Sequence, residues 1–398
     1  MKRRITIFIL VIFAAITSST GQPNGKTQFD FYGEMVQFAY TKQVSDMEII
    51  ISQSALHSFY NKISPSDYEP VIEALRLYRE SQKPDDWLFY QLVRKTAQSI
   101  SPKRSNYQRY TFYKWMLMTR SGYDVILTVS DQRILFYVRC DENIYNIPNR
   151  IEKGKQYVCL NYHDYGNIDF TSEQFALVDI PYPASGKSFS YKISRLPDFK
   201  SSNYLEKNLR FNYNELDYNF PVKLNAEIKS IFANYPVVDY ESYLNIPLSG
   251  ETYQSLIPLL KKNVKGLNLR NGIDYLMRFT RYAFMFEEDS NHFGTEKRLS
   301  PEQTLLYDQS DCEDRVALFY MLVKEIYNLP MIVLSYPDHV TIAVQFDKPI
   351  GKPILYNGKA YSVCEPTPQK TDLPIGATLP ELEHLPYEVV YAYAPGSR

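Results

Sequence analysis

The stretch Tyr307-Asp-Gln-Ser-Asp-Cys-Glu-Asp-Arg315 precedes a run whose apolar residues recur every three to four positions, the spacing of one helical face. Ser310 and Asp311 are residue types that favour helix N-caps, and the acids that follow complement the helix dipole. Cys312 is therefore predicted at a helix N-terminus. At such a position the thiol pKa is lowered, which favours the nucleophilic thiolate, and the backbone N–H can face an oxyanion.

Three predicted strands follow this helix, which ends at Pro330. They are Met331–Ser335, His339–Gln345 and Tyr361–Glu365, with a hairpin turn at Asn357-Gly-Lys359 between the last two. A helix followed by antiparallel strands can bring the helix start, one strand start and one strand end to the same place.

Cys312, His339 and Glu365 occupy these three points. The spacings are 27 residues from Cys312 to His339 and 26 from His339 to Glu365. A nucleophile, a base, and a carboxylate that orients the base form the logic of a catalytic triad. The sequence therefore predicts a thiol nucleophile served by an imidazole and an acid.

These residues resemble the catalytic core of the transglutaminase-like superfamily, which is related to papain-type thiol enzymes. The matching residues are Ser310-Asp311-Cys312 at a helix start, His339 opening a strand, and Glu365-Pro366-Thr367 on the next strand. Glu365 stands where the family usually has Asp, and His339-Val340-Thr341 stands where it often has His-Ala-Trp. The resemblance covers roughly the last third of the chain and implies an α+β fold whose Cys-bearing helix packs on an antiparallel sheet.

The resemblance also implies an activity. We expect a thiol enzyme that acts on amide or peptide bonds through an acyl-thioester, with hydrolysis favoured over crosslinking. The competing hypothesis is a non-catalytic module that binds peptide or cell-surface polymer on the same fold. Papain-like enzymes place a Gln before the Cys to help bind the oxyanion; the candidates here are Gln303 and Gln309, and Gln303 is preferred.

The start of the chain and its net charge indicate the compartment of the protein and the class of its partners. Residues 1–21 have the charged start, short apolar run and small-residue exit of a secretory signal, and the apolar run is shorter than the about 20 residues of a spanning helix. The net charge of the 398 residues is −1, which implies no nucleic-acid partner. We expect an exported bacterial protein, periplasmic or secreted, that has no integral membrane segment after signal removal and takes a protein or peptide substrate.

Three regions are predicted after the signal. They are an N-terminal α+β domain at residues 22–170, a β module or linker at residues 171–248, and the transglutaminase-like domain at residues 249–398.

The N-terminal domain contains a helix and three strands in the same order as the catalytic core. The predicted elements are the helix Tyr107–Arg120 and the strands Gly122–Val129, Arg133–Val138 and Gly154–Cys159. An offset of 207 residues aligns Phe112-Tyr113 with Phe319-Tyr320, and offsets of 204 to 205 align the last strands. This alignment puts Ser105, Gln132 and Leu160 at the catalytic positions. The region is either a degenerate copy that has lost its triad or a chance similarity, because this order of elements is common.

The remaining cysteines and the histidines complete the candidate residues. A Cys140–Cys159 disulfide is one option in an oxidising compartment, whereas Cys364 is expected to be buried and free, pointing away from Glu365. The sequence contains neither a zinc-type spacing nor a Gly-rich phosphate loop, so we predict no metal and no cofactor. The five histidines, all far apart in sequence, are His57, His163, His292, His339 and His384.

Overall fold

The computed structural model describes residues 25–41, 51–63, 65–180, 186–286, 297–368 and 372–396. The predicted signal segment, residues 1–21, lies outside these ranges. The described residues form a mixed α+β fold with ten α-helices and several antiparallel sheets. Within them, every helix is too short or too polar to cross a membrane.

The helices are α1 (Gln53–Lys62), α2 (Pro65–Gln82), α3 (Asp86–Ile100), α4 (Tyr107–Arg120), α5 (Glu227–Ile231), α6 (Tyr240–Leu244), α7 (Gly250–Val264), α8 (Leu269–Tyr282), α9 (Pro301–Leu306) and α10 (Cys312–Ile326). The strands up to residue 177 are β1 (Gly25–Phe31), β2 (Glu34–Tyr40), β3 (Val125–Val129), β4 (Ile134–Arg139), β5 (Ile144–Tyr145), β6 (Asn149–Glu152), β7 (Lys155–Cys159) and β8 (Ala176–Leu177). The later strands are β9 (Tyr204–Tyr213), β10 (Leu216–Asn225), β11 (Val237–Val238), β12 (Met285–Phe286), β13 (Gln309–Ser310), β14 (Met331–Ser335), β15 (Val340–Val344), β16 (Ile354–Tyr356), β17 (Lys359–Cys364) and β18 (Glu388–Tyr393).

Two five-stranded antiparallel sheets form the framework, and they share one topology. The first sheet has the order β6-β7-β4-β3-β8, and the second has the order β16-β17-β15-β14-β18. In each sheet a hairpin that follows a long helix lies at the centre: β3–β4 in the first sheet and β14–β15 in the second. A second hairpin, β6–β7 or β16–β17, pairs with one side of it, and a later strand, β8 or β18, pairs with the other side. We call α4 with the first sheet the N-terminal unit, and α10 with the second sheet the C-terminal unit.

The central hairpins of the two units also share their register. Val125 lies opposite Val138 in the N-terminal unit, and Met331 lies opposite Val344 in the C-terminal unit. The offset is 206 residues for both partners (331 − 125 and 344 − 138), and each hairpin has five such pairs. This offset is one less than the offset of 207 that matching letters suggested.

The loops of these hairpins are closed in the same way. In the N-terminal unit the N–H of Ser130 donates to the carbonyl of Arg133 over 2.9 Å, and in the C-terminal unit the N–H of Tyr336 donates to the carbonyl of His339 over 2.8 Å. Arg133 therefore occupies the position that His339 occupies in the C-terminal unit.

The second hairpins use equivalent tight turns. Lys153 and Gly154 have φ of 50° and 74°, and Asn357 and Gly358 have φ of 48° and 73°. A two-residue hairpin turn with positive φ at both positions matches the twist of the flanking strands, and Asn and Gly tolerate this conformation best. The turn predicted at Asn357-Gly-Lys359 is confirmed.

Both sheets are covered on both faces, which is why their central strands are continuous apolar runs instead of alternating ones. One face of each sheet packs with α4 or α10 into a single large core that runs through the described chain. The outer face of the second sheet is covered by Leu373, Leu379 and Leu382, from the connection between β17 and β18. The outer face of the first sheet is covered in the same way by the connection between β7 and β8.

The region 171–248, interpreted from sequence as a β module or linker, contributes to several neighbours. Strand β8 completes the first sheet, and Lys187 and Phe189 form isolated bridges to the N-terminal unit. The long hairpin β9–β10 packs against α7 and α8. This region is not β structure alone, because the helices α5 and α6 follow β10.

Cys140 and Cys159 are not bonded to each other, and the disulfide prediction is wrong for this structure. Cys159 lies opposite Tyr137 on the neighbouring strand, so it is three residues out of register with Cys140. The two thiols also face opposite sides of the first sheet, because Cys140 lies in the large core and Cys159 in the outer cluster. Cys364 is buried and free, as predicted.

We predict that the free energy of unfolding falls as the pH rises above about 8.5, the ordinary pKa of a thiol. Burial raises the pKa of Cys140 and of Cys159 to about 12, and it also raises the pKa of Tyr165 to about 12. Between the unfolded and folded pKa values the folded chain binds more protons, so unfolding becomes easier as pH rises, by up to about 1.4 kcal/mol per pH unit for each group.

Urea unfolding between pH 7 and pH 11 measures this dependence. The variant Cys159→Ala should show a shallower decline than the native chain because it lacks one of the titrating thiols. A free energy of unfolding that stays constant over this range would contradict the prediction.

Candidate active site

The N-terminus of α10 is fixed by a pair of buried carboxylates. Asp311 is the N-cap, and its side chain accepts the N–H of Asp314 over 3.1 Å, while the Asp314 carboxylate accepts the N–H of Asp311 over 3.4 Å. Asp314 is fully buried and also accepts the N–H of Leu299 over 2.7 Å and the hydroxyl of Tyr243 over 3.2 Å. This reciprocal capping box confirms the predicted helix start and makes Cys312 the first helical residue.

Arg315, also fully buried, joins α10 to the end of α8. Its guanidinium donates to the carbonyls of Thr280, Arg281 and Phe284 over 2.7, 2.9 and 3.3 Å. The last carbonyls of a helix have no partner within the helix, so this side chain satisfies them in place of water. Burial lowers the pKa of Arg315 to about 10, which leaves it charged at neutral pH.

His339 and Glu365 are hydrogen-bonded. Nε2 of His339 lies 2.9 Å from Oε2 of Glu365, and the other carboxylate oxygen accepts the N–H of Thr367 over 2.9 Å. The His339 side chain is 14% exposed and that of Glu365 only 2%, so the carboxylate lies deeper in the protein than the imidazole ring. Because Nε2 is engaged by the acid, Nδ1 is the ring nitrogen left to face a thiol.

The chain just after β17 is held by Arg281, a buried residue of α8. Its Nε donates to the carbonyl of Glu365 over 2.8 Å, and its other nitrogens reach Asp372 over 2.5 Å and the carbonyl of Leu373 over 2.9 Å. The backbone of Glu365 is therefore fixed independently of its side chain. Sequence analysis missed Arg281, and no local signal marks it, because the contact joins residues far apart in the chain.

The thiol of Cys312 lies at the start of β15. The backbone N–H of Val340, the residue after His339, points to the sulfur and favours its thiolate. The pKa of Cys312 is nevertheless raised well above its usual range, first by burial and then by the charges of Asp311 and Glu313. The expectation that this pKa is lowered is therefore wrong for the resting structure, where burial and the charges of three acids, Asp311, Glu313 and Glu365, raise it.

Gln303, the predicted oxyanion donor, lies in a second capping box at the start of α9. Its Oε1 accepts the N–H of Ser300 over 3.0 Å, and the Ser300 hydroxyl accepts the N–H of Gln303. The side chain is fully buried, so capping is the role the structure gives it. A role in binding an oxyanion stays a prediction.

Beside the thiol, Glu313 is bound on both sides. Its carboxylate accepts from Nε of Arg298 over 2.9 Å and from the hydroxyl of Tyr240 over 2.9 Å. The Arg298 guanidinium also lies 4.1 Å from the centre of the Tyr240 ring and donates to the carbonyl of Val238. This cluster holds the residue that follows Cys312 in the chain, and sequence analysis did not identify Arg298 or Tyr240.

The N-terminal unit has different residues at the corresponding places. Tyr107 is the first residue of α4, as Cys312 is of α10, and Arg133 matches His339. The shared turn gives an offset of 204 residues (357 − 153), which matches Glu365 with Asn161. The amide of Asn161 donates to the Tyr107 hydroxyl over 2.8 Å. The positions assigned from sequence, Ser105, Gln132 and Leu160, were displaced by one or two residues.

A buried carboxylate stabilises this altered region. Asp164 accepts from the hydroxyl of Tyr107 over 2.8 Å and from the amine of Lys103 over 2.5 Å, and His163 lies 3.1 Å away. Lys114, fully buried, lies 3.9 Å from the same carboxylate. The N-terminal unit therefore has a phenol and an amide at the places where the C-terminal unit has a thiol and an acid.

No protein-family model matches the chain, and neither does any curated protein or solved structure. Within the described residues, no group of three or more His, Cys, Asp and Glu side chains is placed to hold a metal ion. The interpretation of the site therefore depends on its own geometry.

We predict that alkylation of Cys312 by iodoacetamide has an apparent pKa above about 8.5, the value of an unperturbed thiol. The variant Asp311→Asn should lower this apparent pKa, because it removes a nearby negative charge while Asn remains a good N-cap. The pH dependence of the alkylation rate, followed by intact mass, measures both. The variant Cys312→Ala measures the background alkylation of the three buried cysteines. Equal pH profiles of the alkylation rate for the native and Asp311→Asn proteins would disprove the charge effect.

Proposed function

We propose that this protein is an exported, transglutaminase-like thiol enzyme that cleaves amide or peptide bonds. The observation that supports the proposal is the hydrogen bond of 2.9 Å between Nε2 of His339 and Glu365, beside Val340, whose backbone N–H points to the sulfur of Cys312. The residues have the order and the secondary-structure positions that the family resemblance implies. The mixed α+β fold, with a buried helix on an antiparallel sheet, is consistent with that resemblance.

The first half of the proposed reaction forms an acyl-thioester. Because the resting thiol is protonated, His339 takes the proton as Sγ of Cys312 attacks the carbonyl carbon, and Glu365 stabilises the imidazolium. The N–H of Cys312, at the helix N-terminus, can donate to the oxyanion. The C–N bond then breaks, and the proton leaves on the amine.

The second half returns the enzyme to its starting state. His339 takes a proton from water, the hydroxide oxygen bonds to the acyl carbon, and the C–S bond breaks. The acid product leaves, and the proton returns to Sγ. An amine in place of water would give crosslinking, and we favour hydrolysis on the basis of the resemblance.

One observation favours a different function, that of a non-catalytic binding module on the same fold. The raised pKa of Cys312 makes the thiolate scarce at neutral pH, which a binding module would tolerate. The retained contact between His339 and Glu365 favours the enzyme, because a binding module does not need a carboxylate oriented onto an imidazole.

We predict that Cys312→Ala abolishes the release of amine from a broad peptide library. Glu365→Gln should lower kcat by about 10²- to 10⁴-fold, because it leaves the ring of His339 without a charge to stabilise its protonated form. Amine release, measured with a fluorogenic amine reagent, tests both variants.

Cys140→Ala serves as the matched control, since it removes a buried thiol outside the site and should retain activity. If Cys312→Ala and the native protein release amine equally, the proposed chemistry is wrong. If the native protein releases none while still binding library peptides, the binding module is the better description.

A further inference from the structure

An open trough of about 610 Å³ lies on the outer face of the first sheet, on the side of the N-terminal unit away from α4. This volume is within the range of ligand sites in proteins, about 300–1,000 Å³. The strand side of the trough consists of Tyr137, Pro148, Asn149 and Arg150, and the side formed by the connection between β7 and β8 consists of Phe170, Glu173, Gln174 and Phe175. We call this space the outer trough.

The apolar lining of the outer trough is made of rings. Among the described lining residues, each apolar side chain is aromatic or is the ring of Pro148, and branched aliphatic side chains are absent. Tyr137 is buried and contributes little surface, so the accessible aromatic surface comes from Phe170, which is 42% exposed, and the half-buried Phe175. The face of an aromatic ring is electron-rich and flat, which suits the C–H groups on one face of a sugar ring.

The exposed ring of Phe170 is held by two other rings. Its centre lies 5.6 Å from the ring centre of Phe175 and 6.4 Å from that of Tyr162. A ring that its neighbours hold in place is a preformed platform, so a ligand does not have to order it on binding. The equivalent connection in the C-terminal unit covers its sheet with leucines, and Leu379 and Leu382 there are only 6% exposed. Covering the sheet therefore does not require exposed rings.

The two charged side chains of the lining are both paired. Glu173 accepts from the guanidinium of Arg133 and from the hydroxyl of Ser130. Arg150 donates from Nε to the carboxylate of Glu152 over 2.8 Å. The lining thus has one acid and one base, each bound to a partner, and no net charge. The outer trough therefore complements a neutral ligand better than an anion or a cation.

Exposed amides lie beside the rings. Asn149 and Gln174, both exposed, stand on opposite sides of the outer trough. A side-chain amide donates and accepts hydrogen bonds, and a hydroxyl group does the same, so each amide can bind the hydroxyl groups of a sugar. The trough thus supplies both kinds of contact that a neutral sugar chain offers, C–H groups for rings and hydroxyl groups for amides.

The outer trough also reaches the loop that corresponds to the start of β15. Arg133, which occupies the position of His339, holds the carboxylate of Glu173 on the side of the trough. The place that bears the candidate base in the C-terminal unit therefore supports the trough in the N-terminal unit.

We propose that the outer trough binds a neutral glycan, with a sugar ring on Phe170 and hydroxyl groups bonded to Asn149 and Gln174. This site goes beyond the proposed cleavage of amide bonds and does not depend on it, because every lining residue belongs to the N-terminal half of the chain. The proposal assigns peptide and glycan to separate parts of the protein.

Native electrophoresis of the protein in gels that contain a polymer tests the class of ligand. The neutral probes are hydroxyethyl cellulose, xyloglucan, galactomannan and dextran, the anionic probe is polygalacturonate, and the peptide probe is gelatin. We expect at least one neutral polysaccharide to slow the protein relative to serum albumin, and added salt to leave this retardation unchanged. Retardation by none of the neutral polymers, or only by polygalacturonate or gelatin, would overturn the proposal.

Variants of the lining test the place of binding with the polysaccharide that retards the protein most. Phe170→Ala should weaken binding at least about ten-fold, because it removes the exposed ring. Tyr145→Ala is the matched control, since Tyr145 is an aromatic residue of β5 that is 51% exposed and lies outside the trough. Native affinity in the Phe170→Ala protein, or an equal loss in the Tyr145→Ala protein, would overturn the site.

Two milder variants cover the case in which Phe170→Ala does not fold. Asn149→Ala and Gln174→Ala change exposed side chains, and each should weaken binding about three-fold through the loss of hydrogen bonds to the sugar. Native affinity in both variants, with a native circular dichroism spectrum, would overturn the site. Binding is measured without turnover, and Cys312→Ala should bind as the native protein does, so failure of the proposed chemistry leaves these results unchanged.

Discussion

Two adjacent buried charges at the start of α10, Asp314 and Arg315, determine where the thiol lies. Asp314 holds the N–H of Leu299 and the hydroxyl of Tyr243, and Arg315 holds the carbonyls that end α8. A buried charge that loses its partners destabilises a protein by about 3–5 kcal/mol. Helix α10 therefore cannot slide or rotate without losing both sets of contacts. Cys312, the residue that directly follows the cap Asp311, is fixed beside Val340 at the start of β15 as a consequence.

Local signals in the sequence were sufficient for much of this architecture. The helix Tyr107–Arg120 and the strand Met331–Ser335 were predicted with the bounds that the structure has, because N-cap residues, apolar periodicity and Pro330 act within a few residues. The contact of Arg281 with the carbonyl of Glu365 could not be predicted, because no periodicity reports on residues so far apart. The pKa of Cys312 was misjudged for the same reason: burial and the acid on each side of it decide its direction, and burial is a tertiary property.

The correspondence between the two units shows why letter matching fails at single residues. Matching Phe112-Tyr113 to Phe319-Tyr320 follows the helix, whereas the register of the strands follows the hydrogen bonds of each hairpin. A slip of one residue turns a strand's side chains to the opposite face. The letters therefore pointed to Gln132 at the place of His339, and the hairpin loop puts Arg133 there. Topology and register together support a common plan for the two units more strongly than the letters do.

The geometry around Glu365 explains why a Glu can stand where the resemblance calls for Asp. Arg281 fixes the carbonyl of Glu365, and one carboxylate oxygen is held by the N–H of Thr367, so both ends of the side chain are anchored. The second oxygen then meets Nε2 of His339 at hydrogen-bond distance. An Asp here would be shorter by one methylene and would have to give up either Thr367 or His339 unless the backbone moved, and Arg281 opposes that movement. The longer acid therefore suits its backbone position, because its carboxylate reaches His339 and Thr367 at the same time.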